Sequence, residues 1–301
     1  MPKFNHFAAF VLAATSTVTL VAESHCPGNV ESLPYRLLNR HQIVVPVNID
    51  NSGPYNFLLD TGTQITMIEP ALAAELHLAT SGEASVRSAG ASGSASLAPI
   101  DLLTAGSHSV TDLKVLVFDL GIQQAKSLDV RGILGEDFLE KFDLLIDNEH
   151  SMVCLDDSGR MRPEVKGRHV ELLSPVAETP GGLPKPPVIL AKLSDGMRPV
   201  LLELDSGADV SLLFSSSLLD LGAFRGVALQ GNGASVQMRS FRILPAQDIK
   251  IGSVQVQKAP FITFSEAQKS SHTSDFDGLL SLGLFRRVFI SHAEKFTVLE
   301  P

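Results

Sequence analysis

Two stretches of this 301-residue chain carry the same pattern: FLLDTGTQIT at residues 57–66 and LLELDSGADVSLL at residues 201–213. In each stretch an apolar run leads to an aspartate, a small hydroxyl residue and a glycine, and further apolar residues follow. Asp60 and Asp205 therefore occupy equivalent places. Repetition of this kind predicts a chain built from two similar units, because internal repeats correspond to repeated supersecondary structure.

The similarity continues on both sides of the two aspartates. Each is preceded by two β-rich runs joined by a turn, which we place at residues 51–54 in the first half and at residues 195–196 in the second. Each is followed by a short helical stretch, EPALAAELHL and SSSLLDLG, and Pro70 suits a first helical position. The two halves should therefore fold alike, as mainly β-structure with short helices.

Near the end of each half, a glycine is followed by two apolar residues. This segment reads RGILG in the first half and DGLLS in the second. Gly132 follows Asp60 by 72 positions and Gly278 follows Asp205 by 73 positions. The two halves thus keep the same register over most of their length.

The repeat divides the chain into four parts. Between the two copies lies a segment rich in proline, glycine and charge, most of which we interpret as a linker, although HVELL within it could form one strand. The predicted division is a signal peptide at 1–24, a first lobe at 25–160, a linker at 161–186 and a second lobe at 187–301.

The N-terminal stretch MPKFNHFAAFVLAATSTVTLVAES is typical of a secretory signal peptide. Lys3 precedes an apolar core, and Ala22 and Ser24 form the small-x-small pair of a cleavage site after Ser24. A buried N-terminal helix is the alternative. The signal peptide predicts a periplasmic or secreted protein.

Only two cysteines are present, Cys26 and Cys154, and both remain in the mature chain. In an oxidising compartment two thiols that meet form a disulfide. The sequence leaves open whether they meet or stay as two separate thiols.

Charge and hydropathy exclude two kinds of partner. The formal net charge is −9 and the chain has no cluster of Lys and Arg, which argues against a nucleic acid partner. No apolar stretch after the N-terminus approaches the length of a membrane span, so the mature chain has no predicted transmembrane segment.

FLLDTGT with the later GILG, and LELDSGA with the later GLLS, resemble the paired signature of retropepsin-like aspartic proteases. The resemblance covers nearly all of the mature chain, twice. It implies an all-β fold with short helices, in which two tandem retropepsin-like β-barrel lobes are related by a pseudo-twofold axis in a pepsin-like bilobal arrangement. The implied activity is that of an aspartic-type endopeptidase acting on an extended peptide or protein substrate.

The chemistry explains why the turn is present twice. Two carboxylates held close together share one proton, because like charges at that distance cannot both ionise. The ionised carboxylate can then act as general base on a water molecule, and the protonated one as general acid. We therefore assign Asp60 and Asp205 as a catalytic dyad that needs neither a cofactor nor a metal.

The neighbours of the dyad have predicted supporting roles. By resemblance, the hydroxyls of Thr61 and Ser206 hydrogen-bond across the twofold axis, and a hydroxyl at Thr63 donates to Asp60. Gly62 and Gly207 allow a tight turn that brings an amide N–H toward the carboxylates. The alternative for these residues is an ordinary strand-to-helix turn.

Two small-residue segments, SAGASGSAS and LQGNGASVQ, are candidate flaps that close over a substrate. The residues assigned to them are Ala89, Gly90, Gly93, Gly231 and Gly233. The alternative is that both are surface hairpins without a role in substrate binding.

Three features support other interpretations. Asp157-Ser158-Gly159 repeats the triplet in a polar context and is interpreted as an ordinary turn. Glu203, two residues before Asp205, and Ser281, which replaces Gly135 of the first half, depart from the pattern. They keep open a catalytically weak or silent peptide-binding or assembly protein on the same scaffold. The linker length favours pairing of the lobes within one chain, so we expect a monomer rather than a homodimer.

Overall fold

The computed structural model describes residues 25–38, 42–87, 92–121, 128–174, 183–196, 198–214, 227–231, 239–264 and 276–301. The predicted signal peptide and SSSLLDLG lie outside these residues. Over the described residues, no helix combines the length and apolar character that crossing a membrane requires.

Strands make up nearly all of the regular structure in the described residues, which confirms the predicted fold class. The strands of the first half are β1 (Ser32–Leu33), β2 (Arg36–Leu38), β3 (Gln42–Ile49), β4 (Ser52–Leu59), β5 (Met67–Ile68), β6 (Ser81–Arg87), β7 (Ser92–Ala105), β8 (His108–Val117), β9 (Val130–Leu134), β10 (Asp143–Asp147) and β11 (Met152–Asp156). Two short helices accompany them, α1 (Pro70–Glu75) and α2 (Glu136–Leu139), and Pro70 is the first residue of α1 as predicted.

The strands of the second half follow the same general sequence. They are β12 (His169–Glu171), β13 (Val188–Leu193), β14 (Val200–Asp205), β15 (Ser211–Leu213), β16 (Val227–Gly231), β17 (Arg239–Ile243), β18 (Gln247–Ile251), β19 (Val254–Ala259), β20 (Phe261–Phe264), β21 (Gly278–Ser281), β22 (Arg287–Ser291) and β23 (Phe296–Glu300). Short 3-10 turns lie at Pro27–Asn29 and Leu282–Leu284.

The first lobe is a closed barrel. Its eight-stranded sheet has the order β2-β3-β4-β9-β5-β8-β7-β6, and pairing of β3 with β7 closes the ring. On β3 the alternating β-branched residues Val45, Val47 and Ile49 point into the core that the ring encloses and are fully buried. Parallel pairing of β9 with β4 brings the apolar-apolar-glycine segment alongside the strand that leads to Asp60.

The second lobe repeats this order with two interrupted strands. Its sheet runs β16-β17-β20-β15-β21-β14-β13-β18-β19, and β21 is parallel to β14 as β9 is to β4. Where the first lobe has the long strands β7 and β8, the second has the pairs β17/β18 and β19/β20. Pro245 and Pro260 fall at the two breaks, where neither has an N–H to donate to a sheet. In the first lobe, Pro99 pairs with Lys114 and β7 continues.

A third sheet joins the two lobes. Its order is β1-β11-β10-β22-β23-β12, so that β10 of the first lobe pairs antiparallel with β22 of the second. The contact is polar at its ends, because Ser291 donates to Asp143 (2.8 Å) and Arg287 to Asp147 (2.9 Å). The strand expected within HVELL is β12, which pairs with β23. The lobes therefore associate within one chain.

One predicted turn is placed differently. The hairpin between β3 and β4 turns at Asp50 and Asn51, not at residues 51–54, and β4 begins at Ser52. Both turn residues have a positive φ, 45° and 67°, which Asp and Asn tolerate better than most residues. The Asp50 side chain also accepts the N–H of Leu102 (2.8 Å), which fixes the turn against β7.

Candidate active site

The two predicted aspartates meet at the junction of the lobes. Asp60 directly follows β4 and Asp205 ends β14. The N–H of Asp60 donates to the carbonyl of Leu134 on β9 (3.0 Å), and Asp205 pairs with Ser281 on β21. Each aspartate is therefore held by the parallel strand next to it.

Glycine after each hydroxyl residue allows the carboxyl groups to approach. A Cβ on Gly62 would lie 2.8 Å from Cγ of Asp205, and a Cβ on Gly207 would lie 2.5 Å from Cγ of Asp60. Each glycine thus faces the aspartate of the other lobe. The two carboxyl groups are close enough for each to act on the pKa of the other.

Thr61 and Ser206 bind the two turns together by a reciprocal set of hydrogen bonds. Thr61 Oγ1 donates to the carbonyl of Leu204 (2.7 Å), and Ser206 Oγ donates to the carbonyl of Leu59 (2.9 Å). Each hydroxyl also accepts the backbone N–H of the other residue, at 3.1 Å in both cases. Both residues are buried, so the hydroxyls satisfy backbone groups that would otherwise lack partners.

The two carboxyl groups receive different donors from their own loops. Asp60 accepts the N–H of Gly62 on Oδ1 (2.9 Å) and the hydroxyl of Thr63 on Oδ2 (2.9 Å). Asp205 accepts the N–H groups of Gly207 (2.8 Å) and Ala208 (2.9 Å), both on Oδ1. The second oxygen of Asp205 thus receives no donor from its own loop.

The pKa values of the pair differ in the direction that these donors imply. Burial raises the pKa of Asp60, and the bonds from Thr63 and Gly62 oppose the rise. Burial and the negative charge of Asp60 raise the pKa of Asp205 well above its usual range. Of the two, Asp60 is therefore the more readily ionised and Asp205 the more readily protonated.

A second layer of hydroxyls, which the sequence did not single out, supports the turns. The N–H of Gly135 donates to Thr66 Oγ1 and the N–H of Ser281 donates to Ser211 Oγ, both at 3.1 Å. The hydroxyl of Ser281 donates in addition to the carbonyl of Ala208 (2.7 Å). The replacement of glycine by serine in the second lobe therefore adds a bond to the Asp205 turn. The sequence signal that could have identified these residues is the small hydroxyl side chain six positions after each aspartate.

Glu203 lies on β14 near the dyad and is buried. Burial raises its pKa well above the usual range, and the nearby charges of Asp205, Asp60 and Glu136 raise it further. A protonated Glu203 carries no charge, so it is compatible with one shared negative charge on the dyad.

The candidate flaps are partly described. In the first lobe β6 and β7 form a hairpin in which Gly93 pairs with Val86, while Ala89 and Gly90 lie outside the described residues. A Cβ on Gly93 would lie 2.9 Å from the ring of Phe118. In the second lobe Gly231 ends β16, opposite Arg239 on β17. Gly233 also lies outside the described residues.

The third triplet forms a turn beyond β11. Asp156 Oδ1 accepts the N–H of Ser158 (2.9 Å), and Gly159 has a positive φ of 73°. The turn is fixed further by the N–H of Met161, which donates to Asp156 Oδ2 (2.8 Å). The carboxylate that this loop engages is that of Asp156, the residue before the triplet.

Cys26 and Cys154 form a disulfide with a Cα–Cα distance of 6.0 Å. Cys154 lies on β11, and the bridge encloses a sequence separation of 128 residues. Met161 and Val165 pack beside it, so the start of the predicted linker is part of the buried structure.

Comparisons with known proteins support the motif. Residues 45–138 match the family described as aspartyl protease, a range that includes Asp60 and ends within α2. This match supports, for the first lobe, the resemblance to aspartic proteases. Among solved structures, a retropepsin-like aspartic protease from Rickettsia conorii is similar, at 13% identity with a TM-score of 0.30. The alignment covers 42% of this chain and 88% of that one. No curated protein matches. The similarity to aspartyl proteases thus rests on residues 45–138, which lie in the first lobe.

Proposed function

We propose that the protein is an exported aspartic endopeptidase that hydrolyses peptide bonds in an extended substrate. The observation that carries this proposal is the convergence of Asp60 and Asp205, with each facing a glycine of the other lobe. The reciprocal bonds of Thr61 and Ser206 hold this approach in place. Two coupled carboxyl groups in a partly buried site are the minimum that the reaction requires.

The dyad acts on a water molecule bound between the two carboxyl groups. Ionised Asp60 removes a proton from the water as its oxygen attacks the peptide carbonyl carbon, and protonated Asp205 gives its proton to the carbonyl oxygen. The tetrahedral intermediate collapses when the C–N bond breaks and the leaving nitrogen takes up a proton from the dyad. The pair titrates as a unit, so activity requires one charged and one protonated carboxyl group.

Digestion of a diverse peptide library tests the proposal. Wild-type protein should cleave, and Asp60→Asn and Asp205→Asn should each abolish cleavage while remaining folded. A statine-type mimic of the tetrahedral intermediate should block the wild type. Asp157→Asn is the matched control, because it changes the aspartate of the third triplet, and it should leave cleavage unchanged. Cleavage that survives in either dyad variant would contradict the assignment.

Export is a separate part of the proposal, supported by the N-terminal sequence and by the disulfide, which forms readily in oxidising compartments. Expression with the leader in a Gram-negative host should give a mature protein outside the cytoplasm, beginning at His25 or within a few residues of it. N-terminal sequencing measures this directly. An intact Met1 form as the mature species would contradict it.

A catalytically weak or silent peptide-binding or assembly protein is the second candidate, and it requires Glu203 to ionise in spite of its raised pKa. An ionised Glu203 near Asp60 and Asp205 would oppose the single negative charge that catalysis needs. In that case the wild type should bind the statine-type mimic without cleaving any library peptide, and Glu203→Gln should increase cleavage.

A further inference from the structure

A buried ion pair joins the two lobes behind the dyad. Glu136, the first residue of α2 in the first lobe, is fully buried. Nε2 of His292, which follows β22 in the second lobe, lies 3.0 Å from its Oε2. The other ring nitrogen, Nδ1, donates to the carbonyl of Phe142 (2.9 Å). With Nδ1 occupied in this way, Nε2 is the nitrogen that takes up or loses the proton toward Glu136.

The surroundings of Glu136 are unfavourable to a carboxylate. Among the described residues neither of its oxygens receives a well-aligned hydrogen bond, and the contact with His292 is an ion pair without that alignment. The other charged groups that act on Glu136 are Asp60, Glu140 and Glu203, all acidic. A buried carboxylate is costly when it is not compensated, so His292 is the cation on which it depends.

The pseudo-symmetric place in the second lobe shows that the fold does not require this pair. There Leu282 replaces Glu136 and is buried, while Asn148 replaces His292. The side chain of Asn148 donates to the carbonyl of Phe285 (2.8 Å), as His292 does to Phe142. The polar contact between the lobes is thus made on both sides, whereas the ion pair is made only on the Asp60 side.

Glu136 is connected to the dyad through one residue. Its backbone N–H donates to the carbonyl of Thr63 (2.7 Å), and the Thr63 hydroxyl donates to Oδ2 of Asp60 (2.9 Å). A displacement of α2 would therefore move the donor of Asp60. We propose that Glu136 and His292 are positioning residues that hold the Thr63 hydroxyl against Asp60. This inference rests on the proposed function, in which Asp60 is the ionised carboxyl group.

The protonation state of Glu136 and His292 determines the pH range in which the ion pair can hold Thr63 in place. Burial lowers the pKa of His292, but the charge of Glu136 and the contacts with Glu136 and Phe142 outweigh it, so the net pKa is raised; Glu140 contributes in the same direction. A raised histidine pKa gives stability that is fully present below the unfolded value of about 6.5 and is lost as the pH rises through the folded value. Burial raises the pKa of Glu136 as well, so the ion pair should hold between the pKa of Glu136 and that of His292 and weaken on either side of that range.

Three variants test the proposal. His292→Gln keeps a polar side chain but leaves Glu136 without a cation, and Glu136→Gln removes the negative charge. The double variant Glu136→Leu with His292→Asn copies the second lobe at this place. His150→Gln is the matched control, because His150 also pairs with a buried aspartate of the joining sheet but is half exposed.

His292→Gln should lower kcat about tenfold, the effect of roughly 1.4 kcal/mol in the barrier, while KM changes less than about twofold. The acidic limb of the pH–kcat profile should move upward by about half a unit, because displacement of Thr63 weakens the hydrogen bond that lowers the pKa of Asp60. The double variant should recover kcat to within about threefold of the wild type. Glu136→Gln should change kcat less than His292→Gln does.

A second measurement does not depend on activity. The carboxyl carbon of Asp60 can be titrated by NMR in the wild type, in His292→Gln and in the double variant. Its midpoint should rise in His292→Gln and return toward the wild-type value in the double variant. A purely structural pair would lower stability without moving this midpoint.

The outcomes separate the two claims. If the wild type cleaves peptides but His292→Gln changes neither the acidic limb nor the Asp60 midpoint, positioning by the pair is refuted and the proposed function stands. If the wild type cleaves nothing while the Asp60 midpoint moves as expected, the proposed function fails and the positioning stands. A double variant as impaired as His292→Gln would also overturn the proposal.

Discussion

The two Asp turns share the residues that build the frame and differ in the residues that set its charge. Thr61 and Ser206 make the same reciprocal bonds, and Gly62 and Gly207 make room for the opposite carboxyl groups in the same way. Two other equivalent places differ: Thr63 of the first lobe corresponds to Ala208 of the second, and Glu136 to Leu282. The comparison indicates that the frame which brings the two carboxyl groups together is symmetric, whereas the donors around them are not, and these donors bias which carboxyl group holds the charge.

The glycines provide the strongest test of the symmetric part. In Gly207→Ala the new methyl carbon would lie 2.5 Å from Cγ of Asp60, and in Gly62→Ala it would lie 2.8 Å from Cγ of Asp205. Either variant must move the carboxyl groups apart, so we expect kcat/KM to fall by about 100-fold or more. Steady-state kinetics with the library peptide that the wild type cleaves fastest measures this fall in kcat/KM.

Gly252→Ala is the control for this experiment. Gly252 has a positive φ of 57° and nothing within 4 Å of its would-be Cβ, so the substitution strains the backbone without a clash. It should cost about 1–2 kcal/mol of stability and leave kcat/KM near the wild-type value. Equal losses in Gly207→Ala and Gly252→Ala would remove the argument for close approach.

Removal of the Thr61 or the Ser206 hydroxyl should have a smaller effect than the glycine substitutions. The two hydroxyl variants should be destabilised by the same amount. Ser206→Ala leaves the carbonyl of Leu59 and the N–H of Thr61 without their partner, and Thr61→Val does the same to the carbonyl of Leu204 and the N–H of Ser206. Each variant should lower the free energy of unfolding by about 1–3 kcal/mol. Urea unfolding measures both, with Ser158→Ala of the third triplet as control. A difference of more than about 1 kcal/mol between them would break the equivalence of the two turns.

The smallest effect is expected from Thr63, where the second lobe has Ala208 in the equivalent place. Thr63→Ala removes a donor to Asp60, and a donor to a carboxylate lowers its pKa, so the pKa of Asp60 should rise. The acidic limb of the pH–kcat/KM profile should then move upward by up to about one unit, for a bond that contributes roughly 1.4 kcal/mol. The basic limb, which reports loss of the shared proton, should move less.

The reciprocal variant sharpens the same point. Ala208→Thr gives Asp205 a donor that it lacks, which should lower its pKa and move the basic limb toward acid. The acidic limb could also stay in place in a folded, active Thr63→Ala variant. That result would show that the contact between Thr63 and Asp60 does not determine which carboxyl group of the dyad is ionised.

Prediction from sequence succeeded where the signal was local or repeated. The apolar run, the aspartate and the glycine lie within ten residues, and the repeat fixed their equivalence, so the fold class, α1 and the pairing of the two halves followed. The hairpin turn at Asp50 was misplaced, because Asn-Ser-Gly-Pro also has the composition of a turn. The bond of Asp50 to β7, which is distant in sequence, decided between the two.

What the sequence determined by itself is the duplicated carboxylate-bearing turn and the strands that present it, since both depend on residue types at short spacing. The tertiary structure alone decided which distant groups meet. It joined Cys26 to Cys154, aligned the hydroxyl of Ser281 with the Asp205 turn, and placed His292 beside Glu136. A lone histidine or glutamate carries no pattern in the chain. Its charge acquires a partner only when β10 and β22 pair and bring the two lobes into register, because electrostatic contact depends on distance in space and not in sequence.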